Sequence, residues 1–353
     1  MQKENWLIYG CYGYTGKLIS EYAVQQGLKP VLAGRDAKRT EDLARELGLE
    51  FRVFSLDDEE QVAKELEPFK LVLHCAGPFI YTCAIMARAC IKAKTHYLDI
   101  TGEYQVFERL YRKDQAAKDA GILIMPGVGF DVVPSDCLAA YLKDKLPTGD
   151  TLDLALMQKG AKLSHGTAIT IAENMGEDTT IRRKRKLESV PNGTLTRVIE
   201  VNGSQKKGVA ISWGDVSSAW RSTQIPNITV YNVLPQRVID GMRWSSYIAP
   251  ILGLGIVKKF VISRIKKRPA GPSEEMRQTA SGSIWGEIRN QLGISKRALL
   301  ELPEGYTLTY LTAVEIVKRV LAEPPAPGAK TPSQVFGKDF ILQFDGVKRT
   351  DLE

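Results

Sequence analysis

A short apolar strand that runs into a glycine-rich turn and then into a helix is the feature that most constrains this chain. Residues 6–9 are apolar, three glycines lie within residues 10–16, and apolar residues then recur with helical spacing. Glycines at such a turn let the backbone approach a pyrophosphate, which then lies at the positive end of the helix. The pattern therefore predicts a dinucleotide site formed by Gly10, Tyr12, Gly13, Tyr14, Thr15 and Gly16.

Two other interpretations of this turn are weaker. A nucleoside-triphosphate loop needs glycine at position 11 and serine or threonine at position 18, whereas this chain has Cys11 and Leu18. An ordinary glycine turn remains open, although the order of strand, turn and helix favours the dinucleotide.

The end of the second predicted strand, residues 30–33, distinguishes between two dinucleotides. An acidic residue there accepts the ribose 2′-hydroxyl of NAD, whereas an arginine suits the 2′-phosphate of NADP. The chain continues with Gly34, Arg35 and Asp36, and further basic residues follow at 38 and 39. Because Arg35 comes first, the sequence favours NADP(H), with Gly34 and Arg35 as contacts. A solvated turn remains the alternative for Lys38 and Arg39.

Strands and helices alternate as far as residue 125, which indicates an α/β fold with a parallel, doubly wound Rossmann sheet and right-handed crossovers. The third strand, 51–54, leads to Asp57, which we expect on the adenine side. The fourth strand, 71–75, leads to a turn suited to the nicotinamide half, which consists of Ala76, Gly77, Pro78 and Phe79.

Polar residues follow the next two strands, at the edge where α/β sheets bind their ligands. We expect Thr101 to contact the cofactor, and Asp99, Glu103 and Asp131 to take part in catalysis. A structural role is open for each of them. Either Ser135 or Asp136 is also a candidate cap for the helix that follows.

The chain resembles the saccharopine dehydrogenase-like oxidoreductases, which include the trans-acting enoyl reductases of glycolipid synthesis. The resemblance extends over nearly the whole chain and is carried, in order, by residues 9–16, 32–35, 76–79, 97–103, 127–136, 164–167, 285–289 and 331–333. It implies an NADP-binding Rossmann domain, a second α/β domain with a mainly antiparallel sheet, and hydride transfer. Residues 164–167 read Ser-His-Gly-Thr, where many relatives have two glycines before the threonine, so the substrate contacts of relatives do not transfer directly.

Beyond residue 136 the pattern changes from alternating strands and helices to strands and hairpins. Asn202-Gly203 between two alternating segments is a hairpin signal, and residues 306–310 read as a further strand before a helix at 312–322. We therefore expect a Rossmann domain over 1–130 and a substrate domain over 131–330. Residues 331–353 are expected to return to the first domain.

Composition excludes several other classes. The net charge of +7 is too small for nucleic-acid binding. The three histidines are dispersed and the five cysteines contain no C-x-x-C pair, so the sequence predicts no metal site and a reducing compartment.

The N-terminus has no secretory signal, and the apolar stretch 247–257 is too short to span a bilayer. We expect a cytoplasmic protein.

A basic and apolar segment, residues 244–268, suits a peripheral membrane contact, and a core element or a homodimer interface are the alternatives. The leading hypothesis is an NADPH-dependent reductase of a hydrophobic or lipid-linked substrate. A saccharopine-type enzyme that acts on an amino-acid imine is the second hypothesis. A non-catalytic NADP-binding protein at a lipid surface is the third.

Overall fold

The computed structural model describes residues 5–201 and 203–352, which form two compact units. The first unit comprises residues 1–133 and 306–335, and the second comprises residues 134–305 and 336–353. Two parts of the sequence analysis lie outside the described residues. They are residues 1–4 at the N-terminus and Asn202 of the predicted hairpin turn.

The first unit is built from alternating strands and helices. Its strands are β1 (Asn5–Tyr9), β2 (Val31–Gly34), β3 (Phe51–Val53), β4 (Phe69–His74), β5 (His96–Asp99), β6 (Leu123–Met125) and, from late in the chain, β15 (Gly328–Ala329). Its helices are α1 (Tyr14–Gln25), α2 (Ala37–Leu47), α3 (Glu59–Leu66), α4 (Phe79–Ala93), α5 (Tyr104–Tyr111), α6 (Asp114–Ala120), α14 (Gly305–Ala322) and α15 (Pro332–Phe336).

All seven strands of this unit are parallel, in the order β15-β6-β5-β4-β1-β2-β3. The strand order reverses between β1 and β4, and open α/β sheets bind ligands at such a switch point, outside the carboxyl ends of the strands. Strands covered by helices on both faces become fully buried, and β1, β2 and β4 accordingly contribute apolar residues to the core. The predicted Rossmann fold is therefore confirmed.

The second unit is a mixed sheet with helices. Its strands are β7 (Thr151–Lys159), β8 (Thr179–Arg183), β9 (Lys186–Val190), β10 (Thr196–Val201), β11 (Ser204–Ala210), β12 (Asn227–Val233), β13 (Ser281–Arg289), β14 (Ser295–Pro303) and β16 (Lys348–Leu352). Its helices are α7 (Val133–Lys145), α8 (His165–Glu173), α9 (Asp215–Thr223), α10 (Gln236–Tyr247), α11 (Ala249–Leu252), α12 (Gly255–Ile265), α13 (Glu274–Thr279) and a 3₁₀ helix, Phe340–Gln343.

The sheet of the second unit runs β10-β11-β12-β7-β13-β14-β16. Strands β12 and β7 are parallel, and the other pairings described along this order are antiparallel, as expected for this domain. The predicted hairpin is formed by β10 and β11, which pair from Thr196↔Val209 to Val201↔Ser204.

The structure divides the chain differently from the sequence-based boundaries in two places. Residues 306–330, expected in the substrate domain, lie in the first unit, where Thr309 and Thr312 of α14 hydrogen-bond the backbone at Phe130 and Val128. Residues 336–353, expected on the first domain, lie in the second, because β16 pairs with β14. The predicted strand at 306–310 is wrong, since these residues form the first turns of α14.

Candidate functional site

The glycine turn after β1 is shaped by contacts that leave no room for side chains. Gly10 has φ of +82°, and a Cβ there would lie 2.8 Å from the Ala76 nitrogen, so the turns after β1 and β4 touch. A Cβ at Gly16 would lie 2.3 Å from the Gly10 oxygen. Gly13 occupies the N-cap of α1 and supplies no capping side chain. These are the three roles that a pyrophosphate-binding turn requires.

Two other residues of the turn have side chains that are already engaged. The Tyr14 ring packs edge-on against Tyr306, with centroids 5.0 Å apart. The Tyr12 ring lies against Gly34, where a Cβ would come within 2.3 Å of it. The Tyr12 hydroxyl accepts a hydrogen bond from the Asp36 backbone N–H at 3.3 Å. Tyr14 and Thr15 begin α1, so they present a ligand mainly with the backbone of the first helical turn. Tyr12 connects the glycine turn to the end of β2.

Exposed basic side chains follow the end of β2, and the acidic residue among them, Asp36, caps the next helix. Asp36 caps α2, because its Oδ1 accepts a hydrogen bond from the Arg39 N–H at 3.1 Å. Arg35 and Lys38 are exposed, and the Arg39 guanidinium lies 4.4 Å from the centre of the Tyr12 ring while Nη2 donates to the Tyr12 oxygen at 3.0 Å. The acid that would mark NAD is thus a helix cap, and Arg35 and Arg39 lie on either side of it in the sequence after β2.

For Arg39 the sequence leaves a solvated turn open as an alternative, and it does not predict the stacking on Tyr12. Its position three residues after a capping aspartate is the signal that would have found it, because this spacing puts it in the first turn of α2. Asp57, expected on the adenine side, lies exposed after β3, and the neighbouring Asp58 caps α3.

The turn after β4 is held by buried hydrogen bonds. The Thr82 hydroxyl donates to the Ala76 oxygen at 2.8 Å, and the ring nitrogen Nε2 of His74 lies 2.8 Å from the same hydroxyl. Burial lowers the pKa of His74 to about 3, so the ring is neutral. His74 is therefore a core residue, as the sequence suggested, and it fixes the turn formed by Ala76, Gly77, Pro78 and Phe79.

Asp99 is a buried hub at the end of β5. Its carboxylate accepts hydrogen bonds from the Tyr97 hydroxyl at 2.6 Å, the Thr101 N–H at 3.0 Å and the Gly127 N–H at 2.9 Å. Burial raises its pKa to about 6, although these hydrogen bonds oppose the shift. Tyr97 was not singled out in the sequence, yet its position two residues before Asp99 places both on one face of the strand. Asp99 ties the turns after β5 and β6 together.

Glu103 caps α4, whose N-cap is Pro78 and cannot supply a capping side chain. Its two carboxylate oxygens accept hydrogen bonds from the Phe79 N–H at 2.7 Å and the Ile80 N–H at 3.0 Å. Burial raises its pKa, and the two hydrogen bonds lower it by less. Thr101 is buried beside it and accepts a hydrogen bond from the Glu103 N–H at 3.1 Å. These residues brace the turn after β4 from the end of β5.

Asp131 lies at the end of the turn after β6, with its carboxylate against the backbone of Gly102. A Cβ at Gly102 would lie 2.6 Å from Oδ2 of Asp131, so only glycine allows this approach. Burial raises the pKa of Asp131 to about 7, and the negative charge of Glu103 adds to the shift. Its carboxyl group is therefore divided between the protonated and ionised forms near neutral pH. The structure brings Asp99, Glu103 and Asp131 to one edge of the sheet.

Other sequence candidates have structural roles. Ser135 and Asp136, the candidate caps, lie inside α7, and Ser135 donates to Asp215 at 2.6 Å. Tyr141 and Lys145 of the same helix both bond to Asp351 of β16. Within the described part of the chain, no group of His, Cys, Asp and Glu side chains could hold a metal ion. Nor does any described helix have the length and apolar character needed to cross a membrane.

The second unit contains a cationic pocket that the sequence did not indicate. It has a volume of about 560 Å³ and its lining residues include Arg182, Arg183, Lys184, Arg197 and Arg289. Buried Asp153 and Glu287 form ion pairs with Arg197 and Arg289 of this lining. The single acidic residue of the lining is Asp153, so this pocket suits an anionic group.

The residues of the first unit fit a dinucleotide. A Cβ at Gly10 or Gly16 would clash with neighbouring backbone, the glycine turn meets the turn after β4 at the switch point of the sheet, and Arg35 lies at the end of β2. NADP, once bound, supplies a hydride donor or acceptor at its nicotinamide ring.

Comparison with known proteins agrees with this geometry. Residues 6–125 match the family described as saccharopine dehydrogenase NADP binding domain. The human saccharopine dehydrogenase-like oxidoreductase is 23% identical over 52% of this chain and 49% of its own length. The trans-acting enoyl reductase of Mycobacterium tuberculosis (strain H37Rv) is 29% identical over 54% of this chain and 49% of its own length. The matched region thus spans about half the length of these two relatives.

Two further matches cover more of the chain. The lipid droplet localized protein of Caenorhabditis elegans is 22% identical over 73% of this chain and 68% of its own length. The solved structure of saccharopine dehydrogenase (L-Glu forming) from Saccharomyces cerevisiae covers 99% of this chain and 100% of its own, with a TM-score of 0.67 at 12% identity. That likeness shows a shared fold. Residues 6–125 are thus similar to the saccharopine dehydrogenase NADP binding domain, and the likeness of the whole chain to the solved structure is one of fold.

Proposed function

We propose that this chain is an NADPH-dependent reductase that transfers hydride to a hydrophobic or lipid-linked substrate and contacts a lipid surface through residues 244–268. The observation that carries the redox part is the switch-point site, where the glycine turn, Arg35 and Asp131 belong to one parallel sheet of NADP-binding type. The name of the mycobacterial relative supports reduction of an enoyl group, and the name of the nematode relative supports the lipid contact.

In this proposal the residues of the first unit divide into binding, positioning and proton transfer. Gly10, Gly13 and Gly16 hold the pyrophosphate, and Arg35 contacts the 2′-phosphate, with Arg39 beside it on Tyr12. Asp99 and Glu103 are positioning residues, because their carboxylates bind the backbone of the turns after β4, β5 and β6.

Asp131 is the residue to which we assign the proton. Reduction of a double bond needs a proton where negative charge develops, and an acid whose pKa lies near the working pH is best suited to deliver it. The pKa of Asp131, raised to about 7, meets that condition. Burial of the site also excludes water, so hydride and proton are delivered to the substrate rather than to solvent.

The cofactor part is tested with Arg35→Ala. Loss of a charge-assisted hydrogen bond costs about 1.5–3 kcal/mol, so NADPH should bind roughly tenfold more weakly or worse while NADH affinity stays nearly unchanged. Arg45→Ala, at the far end of α2 and paired with Glu41, is the matched control. A wild-type protein that binds NADH more tightly than NADPH would overturn the assignment.

The cationic pocket of the second unit favours a second candidate, an imine reductase that acts on an amino-acid adduct. Several arginines could clamp the carboxylates of such a substrate. The two candidates are separated by following NADPH oxidation with an α,β-unsaturated acyl thioester and with a 2-oxo acid plus an amino acid. Bound NADPH that no acceptor of either class oxidises would instead support a non-catalytic NADP-binding protein.

A further inference from the structure

Three consecutive helices of the second unit, α10 to α12, expose large apolar side chains at a density seen nowhere else in the described chain. Seven of the eighteen exposed large hydrophobic residues fall within residues 244–260. They include Trp244, Tyr247 and Ile256, which are 73%, 76% and 78% exposed. Soluble proteins rarely leave so many apolar side chains together in water unless the surface binds something.

Charge is distributed along the same segment in two separate parts. Residues 244–257 contain no charged side chain, and Arg243 precedes them. Residues 258–268 then contain six basic side chains, which are Lys258, Lys259, Arg264, Lys266, Lys267 and Arg268. Between residues 241 and 273 there are thus seven basic residues and no acidic one, which equals the net charge of +7 of the whole chain. The rest of the protein is electrically balanced.

The segment is attached to the second unit through both halves. The backbones of α10 and α11 pack closely on Gly193 and Gly176, and the basic half is held by hydrogen bonds. Lys258 donates a hydrogen bond to the Glu173 oxygen at the end of α8. The His165 N–H, at the start of α8, donates to the Ala270 oxygen at 2.8 Å, and its ring nitrogen Nε2 lies 2.6 Å from the Arg268 oxygen. The Ser-His-Gly-Thr sequence at 164–167 therefore holds the end of this segment, and α11 with its flanking residues is left projecting apolar side chains.

From this arrangement we infer that α10 to α12 form a docking surface for an anionic phospholipid membrane, a partner that deepens the proposed lipid contact and rests on it. Trp244, Tyr247, Ile251 and Ile256 enter the boundary between headgroups and acyl chains, where amphipathic aromatic rings are favoured. Lys259, Lys266 and Lys267 bind the anionic headgroups from the flank. Arg243, Trp244 and Tyr247 also line a cavity of about 340 Å³, and its basic residue suits one lipid phosphate.

Charge complementarity makes an anionic membrane the occupant. A second copy of this chain would bring the same seven positive charges against these seven, at a cost that rises as the face is covered. A membrane that contains acidic lipids instead binds each basic residue with about a fivefold gain in partitioning.

The test is flotation of the full chain with vesicles of phosphatidylcholine alone and of phosphatidylcholine mixed with phosphatidylserine. We expect the wild type to float with the acidic vesicles, less so at high salt because the charges are screened, and only weakly with the neutral ones. Lys259→Gln/Lys266→Gln/Lys267→Gln should reduce binding to acidic vesicles by at least tenfold. Lys206→Gln/Lys296→Gln/Lys348→Gln, which removes three exposed lysines from β11, β14 and β16, is the control and should bind as the wild type does.

The apolar part is tested separately with Ile251→Ser/Ile256→Ser, matched by Leu292→Ser/Ile294→Ser in the exposed turn between β13 and β14. The first pair should lose binding at every salt concentration, and the second should retain it. Wild-type protein that stays unbound with acidic vesicles at low salt would overturn the inference. So would equal losses in the controls, or a stable dimer that Ile251→Ser/Ile256→Ser converts to monomer without vesicle binding by either form.

NADPH affinity is measured on the same samples. Retained NADPH binding without vesicle binding would overturn the docking surface alone. Vesicle binding without any NADPH binding would overturn the proposed reductase and leave the docking surface standing.

Discussion

Each unit buries two or more carboxylates at one end of its sheet, and the two units neutralise them in opposite ways. In the first unit, Asp99 and Glu103 are held by backbone N–H groups, and burial raises their pKa. In the second unit, burial also raises the pKa of Glu287, but the hydrogen bond from Arg297 at 2.5 Å and the charges of Arg197 and Arg289 outweigh it, so its pKa is lowered. The carboxyl groups of the first unit therefore hold their protons to higher pH, whereas the Glu287 carboxylate stays ionised to lower pH.

This difference in pKa suits the carboxyl groups of the first unit to proton transfer and those of the second unit to structural support. A carboxyl group with a raised pKa can exchange a proton near neutral pH, and Asp131 lies among such groups. A carboxylate surrounded by arginines stays ionised and mainly holds strands together, here β10, β13 and β14. The cations on this second cluster also form part of the pocket that suits an anionic substrate group.

The largest effect is expected from Glu287→Gln. Glu287 is buried and pairs with three arginines that are 20–43% exposed, so its loss should lower the free energy of unfolding by about 3 kcal/mol. Urea unfolding followed by fluorescence measures it, with Glu301→Gln on exposed positions of β14 as the control. A loss below that of the control would mean that the arginines are well solvated without Glu287.

Asp99→Ala should destabilise the protein somewhat less. It leaves the Thr101 and Gly127 N–H groups without their acceptor, at a total cost of about 1–3 kcal/mol. The same unfolding measurement applies, and Asp42→Ala on the exposed face of α2 is the control. NADPH affinity should fall as well, since both loops at this edge lose their connection. Unchanged affinity and stability would remove Asp99 from the positioning role.

Asp131→Asn should lower turnover at neutral pH by at least tenfold, or about 1.4 kcal/mol in barrier, while NADPH binds as before. In the wild type, turnover should fall as pH rises through about 7, because the proton is then lost from Asp131. This descending limb should disappear in Asp131→Asn. A variant that keeps both its turnover and its pH profile would assign the proton to another group.

The smallest effect is an opposite response of the two units to pH. The pKa of Asp99 is raised to about 6 in the folded state, so its contribution to stability is greatest at low pH and is lost as pH rises from about 4 to 6. The pKa of Glu287 is lowered, so its contribution exists at neutral pH and is lost on acidification. Hydrogen exchange should show β5 and β6 gaining protection as the pH falls from about 6 to 4, whereas β7 and β13 should lose protection below pH 4.5. A parallel response in both units would contradict the contrast.

Local sequence patterns closely predict the helices and strands of residues 5–125. The glycine turn and the helix over 59–66 follow from residue types and spacing, because each element signals its own start and end. The segment 241–273, with seven basic and no acidic residues, is equally a property of the sequence. The family motifs in the first half of the chain imply the same cofactor, NADP, that Arg35 favours.

Other features were decided only by tertiary contacts. Residues 306–310 alternate like a strand, but they continue into a long apolar helix that packs on residues 128–130, and this packing outweighs the local pattern. Glu103 has the residue type of a catalytic acid, and only the arrival of α4 from elsewhere in the chain makes it a helix cap. The direction of each pKa shift likewise depends on partners far apart in sequence, such as Arg197 and Glu287, because burial and charge act through space.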